Sequence, residues 1–160
     1  MDRVKNFFKE RGLGFYLAIV AMIIAIITIF LYKAIGITVF SPTLNQQTIL
    51  FLILGSVVIA ISLVMSLISN KYINMFTRLV RYIAYLMYLY AFIMFIYSQI
   101  NFIANVFVAI DGNSFSGTFI LTLIFYILAC VLTVVSSGLN SYTPWNKKKL
   151  AKEDDNNEIK

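Results

Sequence analysis

Residues 79–110 read LVRYIAYLMYLYAFIMFIYSQINFIANVFVAI and form the third apolar segment of the chain. It carries no charged side chain after Arg81 and holds five of the ten tyrosines. As a helix of about 32 residues at ~1.5 Å per residue, it would be roughly 48 Å long. Because the hydrocarbon core of a bilayer is only ~30 Å thick, the stretch predicts an over-long membrane helix that tilts, kinks or projects beyond the lipid.

A line of polar side chains follows one face of this predicted helix, within an arc of about 80°. A second line of polar side chains follows one face of the last apolar segment. The first line consists of Tyr90, Tyr97, Asn101 and Asn105, and the second of Thr118, Thr122 and Tyr126. Two interpretations stay open. The lines form hydrogen bonds between helices, or they leave an outward polar cleft that binds a headgroup, a sugar-like ligand or a partner's helix.

The composition is that of an integral membrane protein. The chain is 61% hydrophobic and 12% charged, whereas soluble domains usually carry about 25% charged residues. Its apolar segments predict an all-α, polytopic protein of four transmembrane helices in an antiparallel up-down bundle. The predicted transmembrane domain covers residues 13–138, with spans at about 14–34, 48–69, 79–105 and 117–137.

The distribution of basic residues predicts the topology. All but one of the 13 Lys and Arg lie in a basic lead (1–12), the link 70–81 or a charged tail (139–160). By the positive-inside rule, both termini and the link are expected in the cytoplasm, and loops 35–47 and 111–117 outside. The net charge of +6 therefore indicates orientation in the cell membrane rather than nucleic-acid binding. Tyr82, Tyr85 and Tyr88 are expected to form an interfacial aromatic belt.

Small side chains form stripes along the first two predicted spans. They recur every three or four residues, which allows membrane helices to approach closely. The stripe of the first span includes Gly14, Ala18, Ala21 and Ala25, and that of the second includes Gly55, Ser62 and Ser66. We predict that these seven residues pack against neighbouring helices.

The residues that catalysis or metal binding would need are scarce. The chain has no His and one Cys, Cys130, so no zinc, haem or iron–sulfur site is expected. No nucleophile has a visible base, and there is no phosphate-binding loop or carboxylate pair. No ionisable residue is predicted at membrane depth, which argues against a proton-coupled pump. The sequence therefore predicts neither an enzyme nor a cofactor.

One part of the chain has a familiar pattern. The opening FFKERGLGFYLAIVAMIIAIITIFLY (residues 7–32), together with four spans and a Lys-rich end, resembles small uncharacterised four-span membrane proteins of low-GC Gram-positive bacteria. The resemblance implies the general four-span plan. It implies no activity and transfers no functional residue.

These observations predict a non-enzymatic protein that acts by binding, as an accessory or scaffold subunit of a membrane assembly. The expected partners are membrane lipids and another membrane protein or a second copy, with no nucleic acid and no metal. The alternative is a transporter or channel for a small neutral solute or a lipid. Tyr97, Asn101 and Thr122 would then line its path through helices three and four. A weaker alternative is an immunity or stress protein that protects the bilayer.

Overall fold

The computed structural model describes residues 11–35, 44–66, 71–108 and 115–139, and these ranges contain only helices. The helices are α1 Leu13–Ile35, α2 Gln46–Met65, α3 Lys71–Ser98, α4 Ile100–Phe107 and α5 Gly117–Gly138. All but the short α4 are long and apolar enough to cross a membrane. The predicted helical membrane bundle is therefore confirmed. The basic lead up to residue 10, most of the two predicted external loops and the tail from residue 140 lie outside the described residues.

The third membrane helix begins earlier than the sequence predicts. The sequence predicts a third span from about residue 79, after the link 70–81, but α3 is already helical from Lys71. The part of α3 apolar enough to span a membrane is Met75–Ser98, which includes Arg78 and Arg81. Both arginines bond to the ends of neighbouring helices, so the chain can stay helical through them.

The long third segment is divided at Gln99, between α3 and α4. The backbone N–H of Gln99 donates to the backbone carbonyl oxygens of both Phe95 and Ile96, at 3.2 and 3.1 Å. The hydroxyl of Ser98 also donates to the Phe95 carbonyl, at 2.8 Å. Such tight bonding to nearby carbonyls competes with regular helical hydrogen bonds and bends helices. α4 then packs on the start of α5, where Phe102 lies 5.6 Å from Phe119 between ring centroids.

The four long helices form a ring in the order α1, α2, α3, α5. The most extensive contacts join α1 to α5 and α2 to α3. The interior is lined with small side chains, which allow this close approach. All seven residues predicted to pack are buried, namely Gly14, Ala18, Ala21, Ala25, Gly55, Ser62 and Ser66.

Two glycines mark the closest approaches between helices. A methyl group at Gly14 would lie 2.7 Å from the carbonyl oxygen of Leu139, which directly follows α5. A methyl group at Gly55 would lie 2.5 Å from the ring of Tyr88. That ring is fully buried, and its hydroxyl lies 3.0 Å from the hydroxyl of Ser56. The expectation that Tyr88 belongs to an interfacial aromatic belt is therefore wrong, because α3 turns this side chain onto α2.

We expect Gly14→Ala and Gly55→Ala each to lower the free energy of unfolding by about 1–3 kcal/mol, the usual cost of overpacking. The added methyl meets backbone in the first case and a confined ring in the second. The measurement is thermal or denaturant unfolding in mild detergent. Gly138→Ala is the matched control, since no atom lies within 4 Å of a methyl there. Equal stability of all three variants would contradict this packing.

Candidate functional site

Three arginines gather at the end of the bundle where α1 and α3 begin and α2 and α5 end. Arg11 directly precedes α1, and Arg78 and Arg81 lie on the first turns of α3. We call this the arginine end. Their guanidinium groups donate hydrogen bonds to oxygen atoms of neighbouring helices.

Arg81 is the side chain that joins the helices, and it is fully buried. Its Nε donates to the hydroxyl of Ser62 on α2 at 3.3 Å. Its Nη1 donates to the carbonyl oxygens of Gly14 on α1 and Ser136 on α5, at 3.1 and 3.3 Å. One guanidinium on α3 therefore contacts all three other long helices.

The other two arginines bond to helix ends. Arg78 donates from Nε to the Ser137 carbonyl at 2.9 Å and from Nη2 to the Gly138 carbonyl at 3.1 Å. Arg11 donates from Nη1 to the carbonyl of Ser66, the residue that ends α2, at 2.7 Å. The last carbonyls of a helix have no partner within it and carry the negative end of its dipole. The arginines therefore bind carbonyls at two helix C-termini at the same end of the bundle.

The positive charge of the arginine end is not balanced by acidic residues of the described ranges, because these contain no Asp or Glu. The guanidinium groups are instead held by carbonyl and hydroxyl oxygens. These bonds hold the three guanidinium groups in place. The structure thus gathers three arginine side chains at one end of the bundle.

Sequence reasoning missed this arrangement. The sequence predicts no ionisable residue at membrane depth and assigns no role to Arg81, which lies in the apolar part of α3 and is buried. A signal was present in the sequence. The buried positions of α3 recur at intervals of three and four, and Arg81 is on that face with Ala84, Tyr88, Ala91 and Phe95.

The polar line predicted on the third helix does not face α5. Tyr97 is 70% exposed, Asn101 is exposed and Asn105 is half-buried. Tyr90 packs against Phe51 of α2, with ring centroids 4.4 Å apart. Among the described residues, no hydrogen bond joins this line to the one on α5.

Aromatic rings occupy the seam between α3 and α5 instead. Phe95 stacks on Tyr126 at 5.1 Å and lies 5.6 Å from Phe119, both distances between ring centroids. Tyr97 follows Phe95 by two residues, which puts it on the opposite side of the helix. Stacking of the large rings therefore turns the polar line outward.

The second line of polar side chains, on α5, lies largely inside the bundle. Thr122 and Tyr126 are buried, whereas Thr118 is half-buried. The hydroxyl of Thr122 donates to the carbonyl of Thr118 on its own helix, at 2.7 Å. The structure thus separates Thr122 and Tyr126 from the exposed Tyr97 and Asn101.

A second group of buried polar atoms lies toward the opposite end of the bundle, and sequence reasoning missed its central member. Gln99 is 1% exposed, and its Oε1 has no hydrogen-bond partner among the described residues. The same holds for the hydroxyls of Thr48 and Tyr126. Nearby, the hydroxyl of Tyr32 accepts from the amide of Asn45 at 2.9 Å. The side chain of Gln99 therefore enters the core with its carbonyl oxygen unpaired among the described residues.

Metal and thiol chemistry gain no support from the placement of residues. Across the four described ranges, no three His, Cys, Asp or Glu side chains come together as metal ligands. Cys130 is a free thiol in the buried part of α5. Comparisons with protein-family models, with curated proteins and with solved structures give no match to this chain.

Replacing Arg81 should cost far more stability than replacing Arg78. Arg81→Met removes charge-assisted hydrogen bonds, each worth about 1.5–3 kcal/mol, and releases three helices. Arg78→Met removes exposed contacts to a helix end, worth about 0.3–1 kcal/mol. Denaturant unfolding in mild detergent measures both. Similar losses in the two variants would show that Arg81 does not join the helices.

Gln99→Leu should raise the free energy of unfolding by about 1 kcal/mol, because a buried polar atom without a partner costs ~1–3 kcal/mol. The same unfolding experiment measures it. Gln47→Leu is the control, since Gln47 is exposed on the first turn of α2, and it should change stability little. A clear loss of stability in Gln99→Leu would mean that the side-chain amide of Gln99 has a stabilising partner.

Proposed function

We propose that this chain is a non-enzymatic integral protein of the cell membrane that acts by binding, as an accessory or scaffold subunit of a membrane assembly. The observation that carries the proposal is the outward position of Tyr97 and Asn101. Hydrogen-bonding side chains on the outer surface of a membrane bundle suit contact with another membrane protein.

The packed interior supports binding at the surface rather than within the bundle. The stripe of Ala18, Ala21 and Ala25 is fully buried between helices of this chain. The other half of the interior holds rings, with Tyr32 lying 5.6 Å from Phe95 between centroids. The small-residue faces that could have served self-association are thus already used. The outer surface is what remains for a partner.

The surface on α3 and the start of α4 has the spacing of a helix-packing seam. Its exposed residues Tyr90, Ile93, Tyr97 and Asn101 follow one another at intervals of three and four. We call these four residues the docking face. Such spacing fits a single helix lying alongside, and Asn and Tyr side chains add hydrogen bonds across membrane helices. The occupant that fits is a transmembrane helix of a partner protein.

The orientation follows from the same charges. Arg11, Arg78 and Arg81 lie together at one end of the bundle, and all but one of the 13 basic residues belong to the lead, the link 70–81 or the tail. The positive-inside rule then places the arginine end and both termini in the cytoplasm. The docking face therefore belongs to the half of α3 nearer the outer side.

The competing hypothesis is a path for a small solute or a lipid along helices three and four. Its three lining residues are divided between the surface and the core, since Tyr97 is exposed and Thr122 is fully buried. This division favours binding over transport. Flux into liposomes decides between them. A flux that is abolished by Asn101→Leu would support a path and oppose an accessory role.

The direct test is extraction of the full chain in native lipid nanodiscs, followed by native mass spectrometry. A photo-crosslinking residue in place of Tyr97 should join the chain to one defined membrane subunit. The double variant Tyr97→Phe and Asn101→Leu should lose that subunit from the complex. Loss of the two polar groups leaves the fold intact, because both side chains are exposed.

Matched controls change the same chemistry elsewhere. Tyr82→Phe alters an exposed tyrosine near the other end of α3, and Gln47→Leu alters an exposed amide on α2. Both should keep the subunit. The proposal would be overturned if the wild-type chain were extracted as a monomer without a bound subunit, or if the control variants lost the subunit as the double variant does.

A further inference from the structure

Arg78 is a cation fixed at the surface. Two of its guanidinium nitrogens are bound by the carbonyls of Ser137 and Gly138 at the end of α5. The side chain is nevertheless exposed, unlike that of Arg81. Its charge is therefore presented outward in one orientation. An anion that binds there does not have to order a flexible side chain, which reduces the entropic cost of binding.

Exposed apolar side chains surround this cation. Met75 and Tyr82 lie one turn before and one turn after Arg78 on the same face of α3, and Leu79 lies beside it. Met75 is 74% exposed, and the other two are about half exposed. Arg78 is also near the start of the part of α3 that is apolar enough to span a membrane. The structure thus places a fixed positive charge at the edge of an apolar surface.

The neighbouring charges have the same sign. Arg81 shares the end of α5 with Arg78, because it donates to Ser136 while Arg78 donates to Ser137. Arg11 lies at the same end of the bundle. Arg78 is the most exposed of the three, so its guanidinium is the one that an anion can reach.

We propose that Arg78 binds the phosphate of an anionic phospholipid whose acyl chains lie against Leu79 and Tyr82. A guanidinium matches a phosphate in shape and charge, and basic sites between membrane helices bind anionic headgroups. The apolar side chains beside Arg78 favour a lipid over free phosphate, because free phosphate has no acyl chain to pack against them. This site is at the other end of α3 from the docking face, so either proposal can fail without the other.

The experiment titrates the full chain in neutral detergent with short-chain phosphatidylglycerol and follows the thermal unfolding midpoint. A ligand that binds the folded state raises this midpoint, and at a given concentration a tighter ligand raises it more. Phosphatidylglycerol should raise it, whereas phosphatidylcholine and inorganic phosphate should have little effect. Arg78→Gln should weaken the apparent affinity for phosphatidylglycerol about tenfold, as expected for a lost charge-assisted contact.

Two further variants make the result specific. Met75→Glu puts a carboxylate beside Arg78 at an exposed position, and it should weaken binding even if Arg78→Gln folds poorly. Lys33→Gln removes an exposed charge at the opposite end of the bundle, and it should bind like the wild type. Wild-type affinity in both Arg78→Gln and Met75→Glu, or equal effects of the two lipids, would overturn the site. Equal effects of inorganic phosphate and phosphatidylglycerol would overturn its assignment to a lipid.

Discussion

The guanidinium of Arg81 is the interaction on which the arrangement of this bundle depends. A charged group taken out of water costs several kcal/mol unless its donors are bonded, so its three acceptors must stay in place. They belong to α1, α2 and α5, while Arg81 belongs to α3. α1 and α3 face each other across the ring, and this side chain links them. Nearby, Gly14 is required because α1 must approach the last carbonyls of α5.

The rest of the bundle is consistent with this anchored end. Small residues let the helices stay close along their length, and the rings of Phe95 and Tyr126 fill the seam where α3 meets α5. Since the interior is occupied by these groups, hydrogen-bonding side chains such as Tyr97 are left on the outside. We propose two distinct binding surfaces for this protein, the docking face toward one end of α3 and the fixed cation Arg78 at the other.

The helices and their small-residue stripes could be predicted because both depend on spacing within one segment. Gly14, Ala18 and Ser62 are buried as their spacing suggests. The arginine end could not be predicted from hydropathy. A charged residue such as Arg81 marks the end of an apolar segment in a hydropathy profile, and the profile contains no information about carbonyl groups on other helices. The polar line was predicted to face α5 and does not, for a related reason. α3 and α4 carry both a ring face at Phe95 and Phe102 and a polar face at Tyr97, and only the partner helix decides which is buried.

Hydrogen exchange at the side chain of Arg81 tests most directly whether one buried guanidinium holds the four helices together. The measurement is the solvent exchange rate of the Arg81 Nε–H by nitrogen-15 NMR of the detergent-solubilised chain, with the exposed Arg78 as internal reference. The Nε–H groups of both arginines are hydrogen-bonded, so it is the burial of Arg81 that predicts exchange at least tenfold slower than at Arg78, in line with roughly 1.4 kcal/mol of protection per factor of ten. Equal exchange rates for the two arginines would contradict a bundle organised around Arg81.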